Sequence, residues 1–239
     1  MEPYSRAPVK LWCMHPLDNP IWESLVTLRS NFAEGSELAR RFPPDVTTLA
    51  GFREPGKQAF EALAAVMADG RASALFLPEA MEVPAGWQTV VAMPLLQMTL
   101  APSRSISAAV DVSELTTADG PEMLALAELT QPGPFGTRTG ELGNYIGVRR
   151  DRKIVAMAGE RLRVDGHTEI SAVCTHPDYL GRGFAAGLIG TLVERIRGRG
   201  ESPFLHVRGN NHRAIALYKR LDFEPRVELL SLVLRRARS

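Results

Sequence analysis

The segment from residue 168 to residue 200 constrains the fold more than any other part of this chain. Its apolar run at residues 170–175 is typical of a buried strand. Gly181 and Gly183 follow, and apolar residues at spacings of three and four then predict an amphipathic helix over residues 184–196. A strand, a tight glycine turn and a helix start place free backbone N–H groups beside the positive end of a helix dipole. The segment therefore predicts a binding site for a phosphate or a pyrophosphate.

The glycine pair by itself does not identify the bound group. A dinucleotide-binding fold would have a third glycine where Ala186 stands, and an acidic residue about 20 positions further on. A Walker phosphate loop is excluded because no Gly-Lys-Ser/Thr sequence follows the turn. Taken alone, the turn is as typical of a plain strand-to-helix connection as of a phosphate site.

A second segment, further along the chain, narrows these alternatives. Residues 204–207 predict a short strand, and the sequence RGNNHRAIALYKRLDFEPR after it predicts a helix with a polar start and an apolar seam. The positions assigned to this helix are Asn211, Ala214, Ile215, Leu217, Tyr218, Leu221 and Phe223.

Together, the two segments resemble the GNAT acetyltransferase superfamily of acyl-CoA-dependent N-acyltransferases. The family's first motif, Arg/Gln-x-x-Gly-x-Gly/Ala, is matched from Leu180 to Ala185. Its second motif, Asn-x-x-Ala-Ile-x-Leu-Tyr-x-Lys-x-Gly-Phe, is matched from Asn211 to Phe223. The resemblance covers roughly residues 108–233 and is most specific in its last third.

Two positions depart from the family pattern. Leu180 stands in place of Arg or Gln, which removes one side-chain contact near the pyrophosphate and is expected to weaken coenzyme binding without abolishing it. Asp222 stands in place of the glycine that ends the last helix. Because Asp is one of the few other residues that adopt the left-handed conformation, we expect this helix cap to be kept.

The resemblance implies an α/β (α+β) fold with a mixed, mostly antiparallel central sheet flanked by helices. It assigns residues 108–239 to an N-acetyltransferase domain, preceded over residues 1–102 by a smaller α/β module. We interpret this module as a degenerate GNAT-like half that packs against the C-terminal sheet, as in the glycine N-acyltransferase-like branch. A separate lid or dimerisation element is the alternative.

The resemblance also implies which residues contact the co-substrate, acetyl-CoA. Main-chain groups of the strand pair with the pantetheine arm, the glycine turn holds the pyrophosphate, and the start of the last helix contacts the coenzyme arm. Asn211, at the start of that helix, is explained nearly as well by an ordinary helix-capping role. These cofactor-binding residues are Val173, Cys174, Thr175, Leu180, Gly181, Arg182, Gly183, Phe184, Ala185, Asn211 and Ala214.

Two residues are the candidates for catalysis. Tyr218 matches the family tyrosine that protonates the departing thiolate. Glu169 lies eleven positions before Leu180, where some family members carry a catalytic glutamate, and is the candidate general base. Glu160 on the neighbouring strand is its rival. His206 is a third candidate base, although a lone histidine on a strand is more often structural.

A covalent mechanism through Cys174 is disfavoured. Transfer through cysteine needs a histidine partner and an activated thiolate, and a small apolar strand residue is the commoner role. No metal-ligand cluster is present in the sequence. We therefore expect direct transfer of the acetyl group to a primary amine of a small molecule or an amino acid, without a metal.

Composition excludes several other classes of protein. The formal net charge of the 239-residue chain is +1, so bulk charge does not favour nucleic acid or an anionic membrane as partner. Two cysteines suggest no disulfide framework. No apolar run reaches the roughly 18 residues of a membrane span, and the N-terminus lacks a signal-peptide pattern. We expect a cytoplasmic monomer or homodimer.

Two alternatives to a small-molecule acetyltransferase stay open. One is a coenzyme-binding sensor or scaffold that has lost turnover, which the departure at Leu180 favours. The other is a protein or peptide N-acetyltransferase, whose groove would be open. A Pro/Gly-rich loop over residues 131–141 favours a covered, small-molecule site. The acceptor and the preferred acyl length are not identified by the sequence.

Periodicity predicts the remaining elements. Helices are expected over residues 21–32, 57–67 and 118–130. Strands are expected over residues 74–77, 89–100 and 109–115, with a hairpin joining residues 145–149 to residues 154–161. A short docking strand at residues 12–14 and a polar linker at residues 104–107 complete the prediction.

Overall fold

The structure is a computed structural model that describes residues 15–67, 70–101 and 110–237. The docking strand and the polar linker predicted at residues 12–14 and 104–107 lie outside these ranges. Over the ranges described, none of the helices combines the length and the apolar character that crossing a membrane requires.

The described residues form five α-helices and eleven strands. The α-helices are α1 (Pro20–Val26), α2 (Lys57–Val66), α3 (Gly120–Thr130), α4 (Phe184–Gly198) and α5 (His212–Arg220). The strands are β1 (Glu34–Gly35), β2 (Ala39–Arg41), β3 (Ala50–Phe52), β4 (Ser73–Leu77), β5 (Trp87–Leu100), β6 (Ser113–Leu115), β7 (Tyr145–Arg150), β8 (Lys153–Val164), β9 (His167–Thr175), β10 (Ser202–Arg208) and β11 (Phe223–Arg236). Short 3-10 turns occupy Pro16–Asp18, Ser30–Phe32, Thr117–Asp119, Thr139–Leu142 and Pro177–Tyr179.

The main sheet has eight described strands in the order β4-β11-β5-β10-β9-β8-β7-β6. Only the β9–β10 pair among them is parallel, and the other neighbours are antiparallel. Strands β1 to β3 form a separate small sheet. A mixed, mostly antiparallel sheet flanked by helices is the fold class predicted from the sequence, which is thereby confirmed.

Both faces of the main sheet are covered by helices. Helix α4 buries its apolar face in a cluster that includes Leu188, Leu192 and Ile196 together with residues of β5 and β7 to β10. Helix α3 places Met123 and Leu126 in another cluster, with residues of β6 to β9. These two layers fix the positions of β8, β9 and β10, the strands that form the site.

Several predicted boundaries were wrong. The first helix ends at Val26 rather than continuing to residue 32, and a turn leaves Leu28 exposed. Phe223 begins strand β11 instead of ending the last helix. The chain reverses at Asp222, whose φ of 61° is left-handed, as expected for the residue that replaces the family's glycine. The small sheet of β1 to β3 was not predicted.

Two strands from the N-terminal part of the chain belong to the main sheet. Strand β5 pairs with β10 on one side and with β11 on the other, and β4 pairs with the far side of β11. The first 102 residues therefore supply two strands of the sheet that carries the site. The division of the chain into two domains stays a prediction.

Strands β9 and β10 separate after a short parallel contact. Their registered pairs are Ser202 with His167, Pro203 with Thr168 and Phe204 with Glu169. Beyond Glu169, β9 keeps its partner β8 on one side, whereas β10 follows β5 on the other. The divergence opens a cleft in the middle of the sheet, and one edge of β9 from residue 170 to residue 175 faces it.

A β-bulge lies on β9 at the start of this free edge. Met157 pairs with Cys174 and Gly159 pairs with Ser171, so two residues of β9 oppose the single residue between them on β8. One of the two, Ala172, has a φ of 53°, which is uncommon for a residue other than glycine. Because bulges bend a strand and re-aim its neighbours, this one turns the end of β9 away from β10.

Candidate active site

The cleft between β9 and β10 widens into a groove of about 860 Å³. This volume falls within the usual range for a small-molecule site. Every residue that the sequence assigned to the coenzyme lines this groove: Val173, Cys174, Thr175, Leu180, Gly181, Arg182, Gly183, Phe184, Ala185, Asn211 and Ala214. Tyr218 and His206 line it as well, whereas Glu169 and Glu160 are not among its lining residues.

The glycine turn offers unpaired backbone donors at one end of the groove. Gly181 and Gly183 have φ of 77° and 78°, a conformation that glycine adopts without steric cost. No atom lies within 4 Å of a Cβ built on either glycine, so the space above the turn is open. Within the described ranges, no backbone N–H of residues 183–186 donates a hydrogen bond to the protein. These four donors at the start of α4 form a site for an anionic group.

Four arginine side chains near the two motifs line the groove. Arg182 stacks on the ring of Tyr179, with its guanidinium carbon 4.8 Å from the ring centroid. Arg208, Arg213 and Arg220 also line the groove, and none of the three has a carboxylate partner within the part of the chain that the structure describes. Unpaired positive charge near free N–H groups favours a ligand that carries several phosphates.

The free edge of β9 runs from the glycine turn towards the bulge. Its far side is held by β8 through the pairs Ala156 with Thr175 and Met157 with Cys174. The side that faces the groove has no strand beside it among the described residues, because β10 has already diverged. An extended ligand can therefore pair with the main chain of Val173 and Thr175, as a strand would.

Tyr218 lies on α5, beside this edge. Its side chain is buried, packs against Phe223 at a ring distance of 6.2 Å, and lines the groove. Burial and the nearby Cys174 raise the pKa of Tyr218 to about 12. The hydroxyl is therefore protonated throughout the neutral range and is suited to donate a proton.

Cys174 and Asn211 also have contacts within the protein. Burial raises the pKa of the Cys174 thiol to about 11, despite hydrogen bonds with Thr130 and Met157, so little thiolate forms at neutral pH. This agrees with the expectation that Cys174 is not a nucleophile. Asn211 caps helix α5, and its side-chain oxygen accepts from the Ala214 N–H at 3.1 Å.

Glu169 is fully buried beneath the floor of the groove. Its carboxylate accepts hydrogen bonds from Arg161 Nε at 2.9 Å, Arg161 Nη2 at 2.7 Å and the Leu162 N–H at 3.2 Å. Burial raises its pKa, but the charge of Arg161 and the hydrogen bonds from Arg161 and His206 outweigh that effect and lower the pKa to about 2. A carboxylate so fully bonded has little basicity, which argues against the base role predicted for Glu169.

Glu160, the rival candidate, lies away from the groove. Its carboxylate accepts from Asn144 Nδ2 at 3.1 Å and from Arg199 Nη2 at 3.1 Å. Arg199 follows the last turn of α4, so these contacts fasten that end of the helix to β8. The geometry argues against a base role for Glu160 too.

A row of hydrogen-bonded side chains crosses five neighbouring strands under the groove. Arg226 of β11 donates to Gln97 Oε1 of β5 at 2.9 Å, and Gln97 Nε2 lies 3.1 Å from His206 Nε2 of β10. His206 Nδ1 lies 2.7 Å from Glu169 Oε1 of β9, and Glu169 binds Arg161 of β8. We call this set, Arg226, Gln97, His206, Glu169 and Arg161, the polar row.

The polar row fixes the tautomer of His206. Arg226 donates to Gln97 Oε1, and Gln97 Nε2 donates to the Leu17 carbonyl at 2.9 Å, so the orientation of the amide is set. His206 Nε2 must then accept from Gln97, and its Nδ1–H donates to Glu169. Both ring nitrogens are thus engaged within the protein, which disfavours His206 as the base.

The end of the groove away from the glycine turn has a different character. Its walls include residues from the first 102 positions and from β11, and these are mostly apolar: Ala74, Phe76, Met93, Leu95 and Val233, with Ser231 beside them. Residues 130–134, the start of the Pro/Gly-rich loop, line the groove as well. Further along, the loop is fastened to the N-terminal segment through Thr139 and Arg138, which contact Val46 and Asp45.

Sequence reasoning missed two groups of lining residues. Arg208 precedes the second motif, Arg213 and Arg220 lie within it, and this cluster of positive charge was a usable signal of an anionic ligand. Arg161 and the apolar wall from β4 and β5 gave no such signal. The apolar wall reaches the groove through the pairing of β5 with β11, two strands that lie far apart in the sequence.

Comparison with solved structures gives a full-length relative. A GNAT-family protein from Novosphingobium aromaticivorans is 36% identical to this chain, with a TM-score of 0.85, over 94% of this chain and 100% of that one. A GCN5-related N-acetyltransferase from Kribbella flavida shares the fold at 18% identity, with a TM-score of 0.60, over 92% and 96% of the two chains.

Sequence comparisons match the C-terminal part or shorter segments. The FR47-like protein family matches residues 145–230. An acetyltransferase from Sodalis glossinidius is 39% identical over 70 residues, which are 28% of this chain and 49% of that protein. An uncharacterized protein from Mycobacterium leprae is 37% identical over 103 residues, or 39% of this chain and 27% of that protein. The matches thus cover half or less of these curated relatives.

The full-length relative and the GNAT folds among the solved structures agree with the two motifs. The sheet that splits at β9 and β10, the glycine turn and the tyrosine on α5 occur together in one groove. The chain belongs to the GNAT acetyltransferase family.

Proposed function

We propose that this protein is an N-acetyltransferase that transfers the acetyl group of acetyl-CoA directly to a primary amine of a small molecule or an amino acid. The observation that carries the proposal is the single groove that joins the glycine turn, the free edge of β9 and the hydroxyl of Tyr218. Each of these three features serves a different part of an acyl-CoA-dependent transfer.

The groove fits acetyl-CoA on its own geometry. The open space above Gly181 and Gly183 and the free N–H groups of residues 183–186 suit a pyrophosphate. The unpaired arginines at 208, 213 and 220 supply charge for the phosphates. Val173 and Thr175 offer main-chain groups to the amide-bearing pantetheine arm. Leu180 is 45% exposed and leaves one contact to the phosphates unmade.

Acetyl-CoA supplies an activated acyl group as a thioester. When the acceptor nitrogen attacks, a C–N bond forms, the C–S bond breaks, and the sulfur departs as a thiolate. Tyr218 then donates its hydroxyl proton to that sulfur and recovers a proton from solvent. Its pKa, raised to about 12 by burial and by Cys174, keeps the hydroxyl protonated throughout the neutral range.

The acceptor amine must lose a proton, and the candidate bases do not serve it well. Glu169 and His206 use their polar atoms within the polar row, and Glu160 does not line the groove. We therefore assign Glu169 a positioning role, in which it holds Arg161, and expect the amine to lose its proton to water. Rates should then rise with pH as the fraction of free amine increases.

The similarity to the glycine N-acyltransferase-like branch stays a prediction. It is supported by the two strands, β4 and β5, that the first 102 residues add to the main sheet. It is also supported by the apolar wall that these strands build at the acceptor end. A preceding half-domain that shapes the acceptor site is what the predicted branch implies.

A screen for coenzyme release tests the proposed function. Acetyl-CoA and longer acyl-CoA thioesters are incubated with a panel of amines and amino acids, and free thiol and acylated amine are measured together. The proposal predicts thiol release that requires an amine and yields its N-acetyl derivative. Binding of acetyl-CoA without any amine-dependent release would instead identify a sensor or scaffold.

A further inference from the structure

Arg161 is the one end of the polar row that meets the groove with hydrogen-bond donors to spare. Nε and one N–H of Nη2 are bonded to Glu169. The N–H groups of Nη1 and the second N–H of Nη2 have no partner among the described residues, although the side chain is only 7% exposed. Arg161 Nη1 is not among the fully buried polar atoms that lack a partner, so its donors reach the groove that Arg161 lines, where a ligand can supply the acceptor atom.

These donors lie at the acceptor end of the groove. Arg161 is next to Glu160, the β8 residue that pairs with Ile170, and so it lies just beyond the free edge of β9 and its bulge. A coenzyme that enters over the glycine turn and follows this edge brings its acyl end towards residues 170–172. The guanidinium is therefore placed to contact the molecule that receives the acyl group, not the coenzyme phosphates.

Charge indicates what kind of group Arg161 binds. Its positive charge is already balanced by the carboxylate of Glu169. At the other end of the row, Arg226 is paired with Asp18. An acceptor carboxylate would leave a net negative charge in a buried site, whereas a neutral carbonyl oxygen would satisfy the donors at no such cost.

The walls indicate the rest of the acceptor. Phe76, Met93, Leu95 and Val233 line the same groove as Arg161 with apolar side chains, and the tilted ring of Phe76 lies 4.8 Å from the ring of His206. We propose that the acceptor is an α-amino amide with an apolar side chain, whose carbonyl oxygen is bound by Arg161. An amino-acid amide and the first residue of a peptide share this chemistry. The inference rests on the proposed N-acetyltransferase function.

Three matched amines test the role of the carbonyl group. Leucinamide has a neutral carbonyl next to its amine, leucine has a carboxylate there, and 3-methylbutylamine has neither. When kcat/KM is calculated from the concentration of unprotonated amine, the wild-type protein should give its highest value with leucinamide. Arg161→Lys keeps a positive charge for Glu169 and loses the planar N–H groups. The variant should lower kcat/KM for leucinamide about 10- to 100-fold, which is the usual effect of losing a hydrogen bond to a charged group. Its kcat/KM for 3-methylbutylamine should stay within about 3-fold of the wild-type value.

A second variant covers the case in which Arg161→Lys does not fold. Phe76→Ala leaves the polar row intact and removes part of the apolar wall. It should therefore lower kcat/KM for leucinamide more than kcat/KM for glycinamide. Calorimetric binding of leucinamide to the protein loaded with coenzyme A gives a readout independent of turnover. Leucinamide should bind more weakly to both variants than to the wild-type protein, whereas the affinity for coenzyme A should not change.

The outcomes separate this inference from the proposed function. Acetylation of amines with equal losses on all three acceptors in Arg161→Lys, or a wild-type preference for leucine or 3-methylbutylamine, would overturn the inference and leave the function standing. No acetylation of any amine would overturn both. A peptide that begins with leucine distinguishes the two sources: its acetylation at or above the leucinamide rate identifies a peptide N-terminus, and its exclusion identifies a free amide.

Discussion

His206 Nδ1 lies 2.7 Å from Glu169 Oε1, and this contact joins the two strands whose separation creates the groove. The registered pairing of β9 with β10 ends at Phe204 and Glu169, only two residues before His206 on β10. The histidine–carboxylate contact thus holds the strands at the last point before they diverge. Because Glu169 also binds Arg161, the contact fixes part of the floor of the groove.

Removing the charge of Glu169 should therefore affect stability strongly. Glu169→Gln leaves the buried Arg161 without its counter-charge, and loss of one partner of a buried ion pair typically costs about 3–5 kcal/mol. The free energy of unfolding, measured with a chemical denaturant at neutral pH, should fall by that amount. Glu114→Gln is the matched control, because its pair with Arg195 is exposed and should contribute less than about 1 kcal/mol.

The stability difference between wild type and Glu169→Gln should depend on pH. The pKa of Glu169 is lowered to about 2 in the folded protein, because the charge of Arg161 and the bonds from Arg161 and His206 outweigh burial. Its contribution is fully present above its ordinary pKa in the unfolded chain, near 4.5, and is lost as the pH falls towards 2. The stability difference between wild type and Glu169→Gln should be constant from pH 8 to about pH 5 and shrink below it. A constant difference down to pH 3 would contradict the lowered pKa.

Tyr218→Phe tests the proton donor. The substitution keeps the ring against Phe223 and removes only the hydroxyl. Loss of a general acid typically costs about 10²- to 10⁴-fold, so kcat should fall within that range. Affinity for acetyl-CoA, measured by calorimetry, should change little because the phosphates are held at the glycine turn. Full activity in this variant would show that the thiolate leaves without help from Tyr218.

Tyr145→Phe is the matched control for this experiment. The Tyr145 hydroxyl is buried, has no hydrogen-bond partner among the described residues, and does not line the groove. Removing an unsatisfied buried hydroxyl should leave kcat unchanged and keep or raise the free energy of unfolding. A loss of kcat equal to that of Tyr218→Phe would indicate a general effect of repacking.

The glycine turn can be tested by coenzyme binding alone. Acetyl-CoA at 100 times its Kd should stabilise the fold by about 2.7 kcal/mol, seen as a higher midpoint of thermal unfolding. Gly183→Val places a β-branched residue at a φ of 78°, distorts the turn, and should remove most of that shift. Gly166→Val imposes the same strain at a φ of 65° in the β8–β9 hairpin and should keep the shift. Equal shifts in both variants would contradict the pyrophosphate assignment.

Restoring the family residue at position 180 should tighten coenzyme binding. Leu180 is 45% exposed, so Leu180→Arg loses little packing and adds a donor for the phosphates. The gain should be about 1 kcal/mol, or roughly fivefold in Kd. Leu129→Arg adds the same charge at a position on α3 that is 54% exposed and outside the groove, and it should leave Kd unchanged. A weaker Kd in Leu180→Arg would mean that the exposed leucine itself contacts the coenzyme.

Local patterns in the sequence predicted the elements at the glycine-turn end of the groove. The strand, the turn and the helix at residues 168–200 are contiguous, so periodicity and two glycines were enough to place them. Asp222 was likewise predictable, because few residues other than glycine adopt its left-handed φ of 61°.

The end of the groove away from the glycine turn depends on contacts between strands that local sequence patterns do not encode. Gln97, His206 and Arg161 become neighbours only because β5, β10, β9 and β8 pair side by side. Glu169 looked like a base because its position matches the family's catalytic glutamate, and the sequence held no sign of the arginine that binds it. Arg161 and Glu169 lie eight residues apart on the paired strands β8 and β9, and their contact depends on the register of that pairing. The base role of Glu169 stays a prediction, and this contact argues against it.

Direct acetyl transfer within the groove is the central claim, and a mass balance tests it most directly. Acetyl-CoA is incubated with the protein and a reactive amine, and three quantities are measured: free coenzyme A thiol, N-acetylated amine and the intact mass of the protein. The account predicts equal amounts of thiol and acetylated amine, with the mass of the protein unchanged. Thiol released without an amine, or an acetyl group retained on Cys174, would contradict direct transfer.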